Sequence, residues 1–213
     1  MKKTVKLFAI LFVAMTMVTM TSCKKEDELS GNIVGIWKST DYSIFLGSEV
    51  YDCYIFYSDG QYANYGIDSK NAISYEEIGT YTYSKDNAEV KLTEILSGST
   101  TTLSVSKLTD ADLTMDYSNY TRLADAKKDY SAFVGTWEYY TDPNDESSHY
   151  TITYNADGTY SDILDSYKYF YDANAKIYAY EFLTNWWTIK LVRDITTNLI
   201  TFSDGKKLVR VTE

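Results

Sequence analysis

Histidine, cysteine and proline are scarce in this chain, which holds one, two and one of them respectively. The single histidine, His149, cannot make a zinc site without further ligands, and no Cys/His cluster surrounds it in the sequence. It also leaves Ser-His-Asp and Cys-His catalysis without a matched set of groups. Of the two cysteines, Cys23 closes the leader described below. Cys53 then has no partner for an intrachain disulfide. It is a buried inert thiol, or else an intermolecular disulfide or reactive group. A single proline, Pro143, excludes a proline-rich stalk or linker. Helical periodicity is missing as well. Positive charge is in short supply, with 20 Lys and Arg against 30 Asp and Glu for a net charge of −10. Such a surface disfavours phosphate neutralisation on nucleic acid and electrostatic docking on anionic lipid.

Two acidic features carry little chemistry. Asp142-Pro143-Asn144-Asp145-Glu146 gathers oxygen ligands but lacks the spacing and the glycine of calcium loops, and reads as a solvated hairpin loop. Glycoside hydrolysis needs only two carboxyl groups ~5–10 Å apart, and no motif marks such a pair among so many acids. The expectation is no enzyme, no cofactor and no metal.

What the chain does have is a repeat. Ile33-Val34-Gly35-Ile36-Trp37-Lys38 returns as Phe133-Val134-Gly135-Thr136-Trp137-Glu138. Tyr57-Ser58-Asp59-Gly60-Gln61-Tyr62 is echoed by Asn155-Ala156-Asp157-Gly158-Thr159-Tyr160. Each unit closes on a strand with an arginine, Arg122 or Arg210. The organisation that follows is a module over 33–123, a polar linker over 124–132 and a second module over 133–213. Modules this small bury only ~60–70% of their unfolded surface, so the two are expected to lean on one another.

Ahead of the repeat stands a targeting leader, residues 1–22. Lys2, Lys3 and Lys6 precede an apolar run from Leu7 to Val18, too short for the ~20 residues that span a bilayer. Met20-Thr21-Ser22-Cys23 ends it. This resembles a bacterial lipoprotein signal, in which Cys23 is acylated and becomes the new N-terminus; the alternative is an ordinary secretory signal. Residues 23–32 form the lipidated cysteine and its tether. The acidic run Glu26-Asp27-Glu28 resembles the surface-export signal of gut-bacterial lipoproteins, and reads equally as a solvated spacer. The implied location is the cell envelope, as an outer-membrane lipoprotein exposed at the surface.

Within each module short runs alternate with period two and break at turn residues, the signature of an all-β chain. Val90 and Leu92 alternate with Glu89 and Lys91, Tyr150, Ile152 and Tyr154 with Thr151 and Thr153, and Tyr178, Tyr180 and Phe182 with Ile177, Ala179 and Glu181. Asp-Gly pairs supply the positive φ of tight hairpins. About eight short strands per module, joined by short turns, predict an antiparallel meander that removes its edges by closing as a barrel or flattened sandwich.

Gly-x-Trp in the first strand, the Asp-Gly turn, the Gly79-Thr80-Tyr81 strand and the late arginine resemble the bacterial lipocalin-like domains. The resemblance implies tandem small barrels in which Trp37 pairs with Arg122 and Trp137 with Arg210 at the closed end. The second module departs from the pattern, with Tyr167-Lys168-Tyr169-Phe170-Tyr171 in place of Gly-Thr-Tyr.

The surplus to be explained is aromatic: 22 Tyr, 8 Phe and 4 Trp. Tyrosines can simply fill tapered cores. They also suit sugar rings, small molecules and protein partners. Tyr167, Tyr169 and Tyr171 share one strand face, and Trp186 and Trp187 must point oppositely. These five are the expected ligand-binding residues, for a small molecule or glycan; the alternative is a surface protein-interaction or inhibitor module.

The leader generates a direct test. Cys23→Ala is expected to move the protein out of the membrane fraction on cell fractionation, and retention there overturns the lipid anchor.

Overall fold

The computed structural model describes residues 28–142, 145, 147–162 and 165–212. The leader, Cys23 and residues 24–27 of the tether lie outside them, as do Pro143, Asn144 and Glu146 of the acidic loop. The first module contains β1 (Gly35–Ser39), β2 (Ser43–Phe45), β3 (Ser48–Phe56), β4 (Gln61–Asp68), β5 (Ile73–Ser84), β6 (Glu89–Glu94), β7 (Thr100–Leu108), β8 (Asp112–Met115) and β9 (Ser118–Ala124). Consecutive strands from β3 to β9 pair antiparallel, and β1 pairs with both β3 and β9. The meander therefore closes as an eight-stranded barrel, and β2 extends it beside β3.

After β10 (Lys128–Asp129), the second module repeats the plan. Its strands are β11 (Gly135–Tyr140), β12 (His149–Tyr154), β13 (Thr159–Ser161), β14 (Ser166–Asp172), β15 (Ile177–Leu183), β16 (Trp186–Ile195), β17 (Leu199–Phe202) and β18 (Lys207–Arg210). They also close as an eight-stranded barrel, through β11 on β18. The chain is thus two tandem closed antiparallel barrels, the architecture that the period-two runs and short turns imply. Neither the tether nor the linker is wholly a free spacer. Leu29 bridges to Leu108, the Gly31 N–H donates to Leu108 O at 2.9 Å, and β10 pairs with β14.

The repeated motifs build the same plug in each barrel. Trp37 lies opposite Arg122 in the β1–β9 register, and Trp137 opposite Arg210 between β11 and β18. Both indoles are fully buried and donate Nε1–H to the carbonyl four residues back, Ile33 at 2.8 Å and Phe133 at 2.5 Å. Arg122 Cζ sits 5.5 Å from the Trp37 ring centroid, and Arg210 Cζ 4.2 Å from that of Trp137. Each guanidinium also donates to the carbonyl before the glycine, Val34 at 2.7 Å and Val134 at 2.9 Å. A cation over an indole contributes about 0.5–2 kcal/mol, more as water is excluded. The glycine makes room: a Cβ on Gly35 would stand 3.0 Å from Arg122 Nε, and one on Gly135 2.3 Å from Arg210 Nη1.

The Asp-Gly turns lie at this plugged end and are equally conserved between the two copies. Gly60 and Gly158 have φ of 81° and 84°. The Asp59 and Asp157 carboxylates accept the Gln61 and Thr159 N–H groups. Tyr81 and Tyr169, equivalent in the two repeats, each donate a hydroxyl to the start of the turn, Tyr57 O and Asn155 O, both at 2.9 Å.

Simple alternation fails at β4, where Tyr62, Ala63, Asn64, Tyr65 and Gly66 are buried in succession. The reason is that the barrels pack wall to wall. Tyr62 faces the interior of barrel 1, whereas Ala63 and Tyr65 join Ile36, Cys53, Ile55 and Ile78 in a cluster with Phe170, Ile177, Ala179, Ile189 and Leu191 of barrel 2. Strands buried on both faces read as continuous apolar runs, whatever their pairing. Polar contacts lock this seam. Glu76 accepts from Thr188 Oγ1 and from the Ile189 N–H at 2.7 Å. Lys128 Nζ lies 2.6 Å from Asp59 Oδ2 and 4.9 and 5.0 Å from the Tyr57 and Phe170 ring centroids. Burial lowers the pKa of its ammonium and Asp59 opposes that shift.

Asp172 is fully buried and accepts three backbone N–H groups, from Lys127 at 2.9 Å, Asn174 at 2.9 Å and Ala175 at 3.1 Å. Burial raises the pKa of its carboxyl, against the lowering by those donors. The Tyr57 hydroxyl is buried beside it without completing a hydrogen bond. Cys53 belongs to this seam, not to a barrel interior, and burial pushes its thiol up to about 11.

Two tests follow from the plug and the seam. Gly135, at φ +126°, is strained by any side chain, whereas Gly35 has an ordinary φ. Gly135→Ala is expected to destabilise by about 1–3 kcal/mol in urea unfolding, and Gly35→Ala by less than about 1 kcal/mol. Asp172→Ala strands three N–H donors and is expected to cost about 2–4 kcal/mol. At pH 8 iodoacetamide should modify Cys53 slowly in the wild type and faster in Asp172→Ala; equal rates would mean that Asp172 does not hold the seam.

Candidate functional site

Two residues up β11 from Trp137, on the same inward face, is Tyr139, and beyond it the interior of barrel 2 changes character. A cavity of about 180 Å3 opens there, at the end opposite the plug. Six tyrosines line it: Tyr139 from β11, Tyr150 and Tyr154 from β12, Tyr160 from β13, and Tyr178 and Tyr180 from β15. Ile152, Phe182 and Asp162 complete the wall. Period two brings these rings together, because every second residue of β12 and of β15 points inward.

The floor is rigid and the rim is open. Tyr154 and Tyr178 are buried and share a hydroxyl–hydroxyl hydrogen bond of 2.7 Å. Phe133 stacks on Tyr178 with centroids 4.7 Å apart, tying the floor to the plug. The Tyr160 hydroxyl donates to Glu181 O at 2.6 Å, across to the next wall. Tyr178 and Tyr180 stack at 4.9 Å, and Tyr150 meets Tyr139 edge-on at 5.4 Å. Packed aromatic pairs add about 0.5–1.5 kcal/mol each beyond their buried area, so the cavity is shaped before anything enters it.

Asp162 is the charged side chain of the lining, and Lys190, on the inward face opposite Tyr178, is held by Asp204 at 2.6 Å. Burial raises the pKa of the phenols of Tyr139, Tyr150, Tyr160 and Tyr180, and negative neighbours push the same way. Asp162 acts on Tyr150 and Tyr160, Asp204 on Tyr139 and Tyr180, and Glu76 on Tyr180. The phenols therefore stay protonated at neutral pH.

The five residues expected from sequence to bind a ligand do not form one surface. Tyr167, Tyr169 and Tyr171 do share the inward face of β14. Tyr169 and Tyr171 are buried in the core around Phe133, and the Tyr169 hydroxyl is engaged by Tyr130 O and Asn155 O. Tyr167 packs on the cavity residue Tyr160 with centroids 5.5 Å apart. Trp186 is 49% exposed and packs at 5.6 Å on Phe182, at the rim. Trp187 turns the other way, onto Phe170 in the seam. Tyr167 and Trp186 thus flank the cavity, and the other three serve packing.

The cavity tyrosines Tyr139, Tyr150, Tyr154, Tyr160, Tyr178 and Tyr180 are not among the five residues expected from sequence, although Tyr139 stands in the aromatic pair Tyr139-Tyr140. The signal was present in the two alternating runs of β12 and β15. What it lacked was the barrel closure that sets those runs face to face.

Elsewhere the chemistry is sparse. His149 is exposed, stacks on Tyr140 at 5.1 Å and lies 3.8 Å from Glu138. Among the described residues no three His, Cys, Asp or Glu side chains are grouped to hold a metal ion. A groove between the barrels is lined by Lys70, Lys176 and Arg193 and is open to solvent. No protein-family model matches the chain, and no curated protein matches it.

Proposed function

We propose that the protein is a lipid-anchored, lipocalin-like binding protein of the cell envelope that takes a small molecule into the tyrosine-lined mouth of barrel 2. The carrying observation is the preformed cavity opposite the Trp137–Arg210 plug, walled by aromatic rings and open at one end. Binding sites are typically concave, aromatic-lined and largely preformed. At about 180 Å3 the space is smaller than the usual ~300–1,000 Å3, so it suits one ring or one compact head group. No nucleophile with a matched base lines it, which supports binding without chemistry. Lipid on Cys23 anchors the molecule, and two or more acyl chains hold far more firmly than one.

A second reading, docking of a protein partner, has its own observation at the open end of barrel 1. In a meander successive turns alternate between the two ends. Three of the turns at this end carry bare apolar side chains: Leu46 at 92% exposure, Leu96, and Tyr117 at 94%. Leu46 and Tyr117 hold φ of 48° and 72°, where side chains other than Gly, Asn and Asp are rare.

Native mass spectrometry of the mature lipoprotein, mixed with an envelope extract from its source cells, separates the two. The expected result is a small added mass that disappears in Tyr180→Ala while the variant stays folded. A small adduct indifferent to Tyr180→Ala places the site elsewhere. A protein-sized adduct alone favours the docking reading.

A further inference from the structure

Resting on the reading of that cavity as a ligand site, we infer that its ligand carries a compact organic cation, an alkylammonium head group, held within the tyrosine cage. Three features of the wall select this chemistry. Its surface is made of phenol rings, whose faces and oxygens are both electron-rich. Its charged residue is a carboxylate, Asp162, on the segment leaving β13. The nearby cations are committed elsewhere: Lys207 sits 4.5 Å from the centroid of Tyr140, which alternation turns outward, and Lys190, on the inward face opposite Tyr178, pairs with Asp204 at 2.6 Å and lies 5.7 Å from the Phe202 ring centroid.

A cation over an aromatic face gains about 0.5–1 kcal/mol where exposed and about 2 kcal/mol or more where water is excluded. Several rings around one charge add to this, and a quaternary ammonium loses little hydration on entering. An anionic ligand meets the opposite situation, since the carboxylate of the lining, Asp162, bears on Tyr150 and Tyr160, while Lys190 is already offset by Asp204. A neutral sugar finds rings to stack on, but no amide or guanidinium in the lining to read its hydroxyl pattern. Size agrees, because about 180 Å3 takes a trimethylammonium group and little more.

The test is isothermal titration of the mature lipoprotein, in a nonionic detergent, with choline. The comparison ligand is its neutral carbon isostere, in which tert-butyl replaces trimethylammonium. Choline should bind about tenfold tighter than the isostere, the factor expected of a partly desolvated cation–π contact. Tyr180→Leu should weaken choline by about tenfold. Asp162→Asn should weaken choline by several-fold and leave the isostere unchanged. Phosphatidylcholine vesicles as competitors distinguish a free ion from a lipid head group, and either source supports the inference.

If the isostere binds as tightly as choline and both are lost in Tyr180→Leu, the cavity is a ligand site and the cation inference is wrong. If choline does not bind the folded wild type at all, the inference is likewise overturned. The small-molecule reading then stands or falls on the adduct seen by mass spectrometry.

Discussion

An antiparallel meander has two edges, and everything in this molecule follows from how they are removed. Each module joins its first strand to its last, β1 to β9 and β11 to β18, so that among the described residues only the short strands β2 and β10 keep an unpaired edge. Closure obliges eight strands to enclose a space just wide enough to be filled. One end of that space is then sealed by a single arrangement used twice, an indole under a guanidinium with a glycine beside them. The plug is more than packing. The tryptophan and arginine donors take up carbonyls from the segment entering the first strand, where backbone groups would otherwise be buried without partners.

Closure leaves a second problem, since a barrel this small has too little interior to stabilise itself well. Here the outer walls solve it. β4 has one barrel's core on one side and the other barrel on the far side, and the two cores become layers of one continuous structure. The seam's polar groups, Glu76, Lys128 and Asp172, each satisfy backbone or side-chain partners on another segment of the chain. They fix orientation where apolar contact alone would permit sliding. The duplicated barrels have accordingly diverged. Barrel 1 is filled by Val90, Leu92, Val105, Leu108, Leu113 and Met115 around Trp37. Barrel 2 substitutes tyrosines, whose tips need partners or space, and it is there that a cavity opens.

The sequence made the barrels legible because period two and Asp-Gly turns are local, and the repeat made them countable. Eight strand starts and the Trp–Arg pairing can be read from spacing and resemblance alone. The seam was not legible. Cys53 and Tyr65 look like any residues on the outer face of a strand until a second wall covers them. The cavity was half legible: Tyr150 with Tyr154, and Tyr178 with Tyr180, are visible as faces within their strands. That the two faces meet is long-range information, and Trp186-Trp187 drew attention by composition although one of the pair is spent on the seam.

The chain enters barrel 1 at its plugged end, where Leu29 and Gly31 are pinned to Leu108. From Cys23 to Leu29 the backbone can stretch no more than about 20 Å. Under the proposed lipid anchor on Cys23, the plugged end would stay close above the bilayer and the opposite end of that barrel would lie on the far side of the molecule. Leu46 and Tyr117, bare at that opposite end, would then stand beyond the reach of the membrane and face the surrounding solution.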